Sequence, residues 1–595
     1  MTRLITFRQD CVRQATREQR ANALRENPWR GRRVWIPLIL VVTLLALVYA
    51  YRFPWVWAQE PGGAGGPGVS GRIIDPLGGP VHDVEVAALV DGHDIAAEST
   101  SQQDGSFLLD LPPGSFESVT IEIHRPHFES ATIVLAPTDV TALREGTSVR
   151  LPDVALQRRV TAGFWVATLS FTLVLGLIAL ERLHKTTAAL LGMSIVLGVS
   201  FVGGAINPNL FIFDFERALS YVDFDVIFLV MGMMIVIAVI EETGIFQWLA
   251  YQAYRLSGGR MWLLVTILIV ITAVASALLD NVTTMLLMAP ITIQISLTLG
   301  INPLALLIPE ILASNVGGIS TLIGTPTNIL IGSYAGLGFN DFLLNLTPGV
   351  VAALIVLVIY VVLTYRRSYA ATSGHLSDAM RDRLRKSAQI TKPEKLRKSA
   401  IVFGIMLVFF VIGDAIHLVP AVTAIIGAVA MLLWVSPDIE EMLQVVDWTT
   451  LMFFIALFIA VGALQEVGLI SFIATAIGNL VGDNLTATIL VLVWSAAILS
   501  GVIDNIPFAA TMLPVVGYLT RTVPGAGSGV LWYALSIGAA MGGNSTLIGA
   551  SPNLVTAGIA ERAGYRITYL TFLKVGFPAM VVTVTVGTIW LFLHF

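Results

Sequence analysis

Gly317-Gly318-Ile319-Ser320-Thr321-Leu322-Ile323-Gly324, followed by Thr325-Pro326-Thr327-Asn328, returns as Gly542-Gly543-Asn544-Ser545-Thr546-Leu547-Ile548-Gly549, followed by Ala550-Ser551-Pro552-Asn553 (542 − 317 = 225). Upstream, Asp280-Asn281 returns as Asp504-Asn505, Glu242-Thr243-Gly244 as Glu466-Val467-Gly468, and Val222-Asp223-Phe224 as Val446-Asp447-Trp448, each 224 residues on (504 − 280 = 224). Register held over about 100 residues with one insertion is an internal duplication, and interrupted apolar segments at matching places in two halves point to a transporter's binding site.

The composition agrees. Of 595 residues 55% are hydrophobic and 13% charged, with mean hydropathy +0.80, whereas soluble domains carry about 25% charged residues. A spanning helix needs roughly 20 apolar residues, and about a dozen candidate segments, some broken, can be counted. The net charge of −5 is too small to argue for any partner, nucleic acid included. Cys11 is the only cysteine, which excludes an intramolecular disulfide and leaves no cysteine metal site.

Outward toward the N-terminus, residues 1–33 are basic and 34–53 are apolar without a small-residue cleavage site, which reads as a cytoplasmic tail and an uncleaved membrane anchor. Residues 59–67 are a Gly/Pro linker. Residues 68–157 then alternate with the period of strands, as in Val84-Glu85-Val86-Ala87 and Val119-Thr120-Ile121-Glu122-Ile123. Turn signals such as Asp104-Gly105 and Pro112-Pro113-Gly114 separate them, so a small antiparallel β-sandwich of about seven strands is expected on the extracytoplasmic side. The turns Gly79-Pro80-Val81, Asp104-Gly105-Ser106-Phe107 and Leu111-Pro112-Pro113-Gly114-Ser115 resemble the carboxypeptidase regulatory-like sandwich, which implies a fold and no activity. His82, His93, His124 and His127 lack ligand spacing and are expected at the solvated surface.

Residues 160–595 form a polytopic, mainly α membrane body. Its one long polar break, 367–398, is basic and therefore cytoplasmic. Counting crossings from the basic N-terminus starts the first copy outside and the second inside, so the repeat is inverted.

Two stretches carry the chemistry. Asp280-Asn281 lies between apolar runs and is either a break between two spans or the tip of a re-entrant hairpin; short flanks favour the hairpin. Its carboxylate caps the next helix, serves an ion, or does both, since a charge at that depth needs water, a cation or a proton. The Gly/Thr/Pro/Asn stretches interrupt the next span in each half. Unwinding frees carbonyls for a cation and opens a helix N-terminus to an anion. Ser314, Asn315, Ser320, Thr321, Thr325, Asn328, Asn544, Ser545, Thr546 and Asn553 are hard oxygen donors of the kind Na⁺ accepts. Glu242 and Glu466 read as interfacial, and Asp414 and His417, without repeat mates, as structural. No nucleophile-base set, HExxH or P-loop occurs in the body, so an enzyme is not expected and no cofactor is implied beyond Na⁺ as a coupling ion.

Asp280-Asn281-Val282-Thr283-Thr284, Ser314-Asn315-Val316-Gly317-Gly318 and Gly542 to Asn553, continued by Ala557-Gly558-Ile559-Ala560-Glu561-Arg562, resemble the ion-transporter superfamily. The likeness is to its P-protein, arsenite-permease and NhaD-type antiporter branch, with a citrate-transporter-like domain. The resemblance implies scaffold helices at 160–220 and 399–436 and transport repeats at 221–366 and 445–595. It also implies two re-entrant hairpins, two broken helices, a homodimer in the lipid bilayer, and elevator-type alternating access. Thr325-Pro326-Thr327-Asn328 departs from the branch's Asp-Pro-Pro-Asn. Sodium/dicarboxylate carriers place Ser-Asn-Thr at the hairpin tip; here both tips hold Asp. Each close carboxylate pair would repel a dicarboxylate by about 4 kcal/mol at an effective dielectric of 20.

The expectation is proton-coupled exchange of Na⁺ or another small ion. The expected ion-binding set is Asp280, Asn281, Thr283, Ser314, Asn315, Gly318, Thr321, Thr325 and Asn328 in the first copy. In the second it is Asp504, Asn505, Gly543, Asn544, Ser545, Thr546 and Asn553, with Na⁺ held at Asp280, Asn281, Asp504 and Asn505. The alternatives are a Na⁺-coupled carrier of a carboxylate or inorganic anion, and an anion channel.

Overall fold

The computed structural model describes residues 68–595 apart from 76–78, 92–93, 112–115, 181 and 371–389. The expected tail, anchor and linker, Cys11, His93, the Pro112 turn and most of the basic loop lie outside the described residues.

Among the described residues the N-terminal unit has eight strands: β1 (Gly68–Ile74), β2 (Glu85–Val90), β3 (Asp94–Thr100), β4 (Ser106–Asp110), β5 (Val119–His124), β6 (Ala131–Val134), β7 (Val149–Arg150) and β8 (Val154–Ala155), with helix α1 (Pro137–Arg144) before β7. One sheet runs β3-β2-β5-β6, all antiparallel; in the other β1 pairs β4 antiparallel but β7 and β8 parallel. The antiparallel expectation is thus corrected for one sheet. β7 and β8 are two residues each, too short to show a period. Alternate residues of both sheets, including Ile73, Val86, Phe107, Leu109, Ile121 and Ile123, bury into one core, which makes a sandwich.

The body's main helices are α2 (Ala162–Ala179), α3 (Lys185–Gly198), α4 (Phe215–Ser220), α5 (Phe224–Glu241), α6 (Ile245–Ser257), α7 (Met261–Leu278), α8 (Asn281–Leu299), α9 (Leu304–Gly317), α10 (Pro326–Ala335), α11 (Phe339–Thr364), α12 (Pro393–Gly413), α13 (Pro420–Trp434), α14 (Trp448–Glu466), α15 (Leu469–Val481), α16 (Leu485–Ser500), α17 (Asn505–Thr522), α18 (Val530–Gly542), α19 (Ser551–Arg562) and α20 (Tyr569–His594). Among the described residues nine helices are long and apolar enough to cross a membrane. Exposed apolar side chains such as Trp165, Leu169, Ile355 and Ile359 give the surface that lipid requires.

The duplication is a geometric two-fold. α8 packs on α19 while its equivalent α17 packs on α10, and α5 packs on α13 while its equivalent α14 packs on α3. Reciprocal pairing of this kind is the mark of a two-fold relation. The equivalents α11 and α20 pack on each other. Gly244 and Gly468 both adopt left-handed φ (79° and 90°) where α5 and α14 turn into the next helix, a conformation open to Gly at little cost.

The carboxylates beside those glycines differ in their partners. Glu242 accepts from Lys392 and Lys395 of the segment joining the halves (2.9 and 3.1 Å). Glu466 instead meets Arg125 of the sandwich (3.0 Å) and Arg217 of α4 (3.2 Å). Equivalent residues are therefore gripped by different segments of the chain. Burial acts to raise the Glu242 carboxyl, but the two lysines outweigh it and hold it below the usual range.

Candidate functional site

Each half builds its part of the site by the same local rules. Asp280 is extended (φ −67°, ψ 154°) and N-caps α8: Oδ1 accepts from the Val282 and Thr283 N–H groups at 2.9 Å and Oδ2 takes the Thr283 hydroxyl. Asp504 N-caps α17 through the Ile506 N–H at 3.1 Å. The capping reading is therefore correct for both, and it leaves each carboxylate at a helix start beside the unwound segments.

Those segments fall where the glycines put them. α9 passes through a single 3₁₀ turn at Gly318–Ser320 and restarts as α10 at Pro326, while α18 gives way to turns and bends before α19 starts at Ser551. A Cβ on Gly317 would lie 2.5 Å from Ala273 backbone, and one on Gly542 2.6 Å from Ala497, its equivalent (497 − 273 = 224). Ser276 bonds the Ser314 carbonyl (2.8 Å), and its equivalent Ser500 bonds that of Ala539 (2.6 Å). Thr321 donates to the Ala277 carbonyl, as Thr546 does to Gly501 (2.5 Å). Asn328 spans its loop with Nδ2 on the Ile319 and Thr321 carbonyls (3.0 and 2.9 Å), and Asn553 spans its own from Gly543 to Thr546 (2.8 and 2.9 Å). These four polar side chains hold the unwound backbone open in this conformation.

One chain of amides joins the halves. Asn281 Nδ2 donates to Asn315 Oδ1 (3.1 Å), and Asn315 Nδ2 donates to Asn544 Oδ1 (2.9 Å) and Asn553 Oδ1 (3.0 Å). Asn544 donates on to the Leu312 carbonyl (3.2 Å), and Ser536 closes on Asn328 Oδ1 (2.6 Å). Ser314 bonds the Asn281 carbonyl (3.2 Å). All of these residues are buried. Asn281, Ser314 and Asn315 of the first repeat thus meet Asn544 and Asn553 of the second. Ser545 is turned back onto the Gly542 carbonyl (2.8 Å). Thr325 is fully buried with its hydroxyl unpartnered, as are the hydroxyls of Thr327, two residues on, and of Thr284 on α8. Asn505 is buried, and Gly318 and Gly543 pack against Gly324 and Gly549.

Several residues lie outside the expected set. Asp504 Oδ2 accepts from Ser551 (2.7 Å), and Lys185 at the start of α3 reaches both: Nζ is 2.9 Å from Ser551 Oγ and 4.0 Å from Asp504 Oδ2. Glu310 on α9 is fully buried, with Oε1 on the Thr292 hydroxyl (2.8 Å) and Oε2 unpartnered. A lone acid inside an apolar run was its signal; Ser276 and Ser500 could have been found from the 224-residue register. Asp414 and His417 line a cavity with Asp225 and Asp341 between α5, α10 and the α12–α13 turn.

The sandwich packs against the second repeat at Glu466. Glu466 also takes the Tyr221 hydroxyl, Arg217 reaches Asp83, and Arg158 Nη1 bonds the Glu466 carbonyl (3.2 Å). Burial and the Glu466 carboxylate raise the Tyr221 phenol, so it stays a donor. His127, expected on the surface, is buried instead. Its Nε2 lies 3.0 Å from the Ile212 carbonyl, and desolvation holds its pKa below the usual value.

The profile of the citrate transporter family (CitMHS) matches residues 175–538. The chain belongs to this family. It is 38% identical over 431 residues to an uncharacterized transporter of Mycobacterium tuberculosis, covering 72% of this chain and 98% of that protein. It is 35% identical over 502 residues to the human P protein, covering 72% of this chain and 59% of that relative's length. The YdaH transporter of Alcanivorax borkumensis superposes with a TM-score of 0.46 at 14% identity, covering 72% of this chain and 97% of that one. The resemblance to the wider ion-transporter superfamily is upheld, and the chain is a multi-pass membrane transporter rather than an enzyme.

Proposed function

We propose that this transporter exchanges a small cation, Na⁺ or one like it, for protons by alternating access. The observation that carries the reading is the pair of equivalent carboxylates, Asp280 and Asp504, each capping a helix beside an unwound segment and a buried amide layer. The layer offers oxygens of the type a hard cation accepts. Among the described residues no arginine pairs with either Asp, and the one ammonium near them, Lys185, lies 4.0 Å from Asp504. Asp280, Asp504 and the surrounding Asn and Thr oxygens hold the ion, and Glu310, buried with a free carboxyl oxygen, is a further candidate proton carrier.

Helices α7–α8 and α16–α17 act as re-entrant hairpins, and they move with the broken helices against a dimerising scaffold. The sandwich faces outward and the Lys392 segment faces the cytoplasm, as the basic flanks require. Lys185 lies at the end of α14 opposite Glu466, because its neighbour Thr186 bonds the Thr449 carbonyl (2.9 Å).

A second reading, Na⁺-coupled carriage of a carboxylate, is favoured by the family's description and by the Lys185 ammonium, which meets Ser551 at the start of α19. Proton flux and thermal stability with Na⁺, Li⁺, K⁺, Cl⁻, arsenite, succinate and citrate separate the two. Stabilisation by Na⁺ or Li⁺ alone supports exchange; stabilisation that requires succinate or citrate refutes it.

A further inference from the structure

Lys185 occupies a position that its own helix does not ask for. It is the first residue of α3, and a cation at a helix N-terminus opposes the macrodipole, where an acid would help. Its ammonium is instead turned inward, 2.9 Å from Ser551 Oγ, 4.0 Å from Asp504 Oδ2 and 5.2 Å over the Phe453 ring. Asp504 is only 5% exposed, and a buried carboxylate without a counter-charge is strongly disfavoured.

The arrangement exists in one repeat only. Asp280 has no ion pair and takes its donors from its own helix. The residue equivalent to Ser551 is Pro326 (551 − 225 = 326), which has no hydroxyl, and α13, the packing counterpart of α3, starts with Pro420. Lys185 and Asp504 also sit on different parts of the fold. Lys185 belongs to α3, tied to α14 by Thr186, whereas Asp504 and Ser551 belong to the second hairpin and broken helix.

We propose that Lys185 is a resident counter-cation of Asp504 that the transported cation displaces, and that the pair holds the empty carrier against α3 until displacement occurs. The inference rests on the cation-exchange reading. In this exchange Lys185 changes only its partner. Without a bound cation, movement of the second hairpin and broken helix away from α3 strands Asp504 uncompensated; with one bound, the carboxylate leaves already paired. The lysine is thus a positioning residue that couples occupancy to movement and suppresses empty return.

The test uses the full chain in detergent and in proteoliposomes, with Na⁺ and Li⁺ as probes. Lys185→Gln lowers the cation concentration that half-stabilises the protein by about tenfold, equivalent to about 1.4 kcal/mol, and allows cation leak without counterflow. Lys185→Arg keeps the wild-type midpoint. Lys185→Cys in a Cys11→Ser background, before and after aminoethylation, compares one folded protein without and with the charge; aminoethylation returns the midpoint toward wild type. Equal midpoints for wild type and Lys185→Gln, or no effect of aminoethylation, overturn the inference and leave the exchange reading standing. A wild-type protein that no cation stabilises overturns both.

Discussion

Asn315 joins the two halves of the site, and its removal has a calculable effect. Asn315→Ala takes away the acceptor of Asn281 and the donor to Asn544 and Asn553, at 3.1, 2.9 and 3.0 Å. All three partners are buried and cannot turn to water. An orphaned buried polar group costs about 1–3 kcal/mol, while hydrogen bonds between membrane helices average about 0.6 kcal/mol. Three such losses total about 2 kcal/mol on the membrane-helix average and about 3–9 kcal/mol where every partner stays orphaned. The comparison is Ser536→Ala, which removes one bond, that to Asn328 at 2.6 Å. Thermal melting in detergent, with and without Na⁺, reads both variants. Asn315→Ala should melt well below Ser536→Ala and lose its stabilisation by Na⁺. Equal melting of the two variants, with the Na⁺ response intact, would refute the claim that this amide chain organises the site.

Three further outcomes are expected. Glu310→Gln keeps the fold, because Thr292 retains an acceptor, but lowers proton-driven flux by about tenfold or more, which liposome flux with a pH-sensitive dye measures. Gly317→Ala and Gly542→Ala force α7 from α9 and α16 from α18, costing about 1–3 kcal/mol each; Gly404→Ala and Gly558→Ala, with open space at the added Cβ, serve as melting controls. His127 has a depressed pKa when folded, so the unfolded chain binds more protons below about pH 6.5 and the stability it contributes is lost as pH falls through that value. His127→Gln should flatten the wild-type fall in melting temperature between about pH 7.5 and 5.5.

The repeat made much of the body legible. Asp280 and Asp504 cap helices where the register placed them, and the breaks at Gly318 and Gly543 follow from glycines whose Cβ atoms would strike backbone. The sequence could not reveal which halves of each side chain are used. Asn328 and Asn553 spend their amide hydrogens on their own loops, a fact set by backbone path rather than residue type. Lys185 meets Ser551 across 366 positions, and Glu466 meets Arg125 across 341; both contacts belong to tertiary packing, and one repeat lacks them. His127 read as surface because it lacks ligand spacing, and spacing says nothing about a sandwich edge pressed against Ile212.

Flux in proteoliposomes carrying Asp280→Asn and Asp504→Asn together tests the central claim most directly. Asn keeps a side-chain oxygen for the cap and removes the charge at both tips. The account predicts that wild-type protein moves protons against Na⁺ or Li⁺ and that the double variant, folded by its melting curve, does not. Undiminished exchange in the double variant would contradict it.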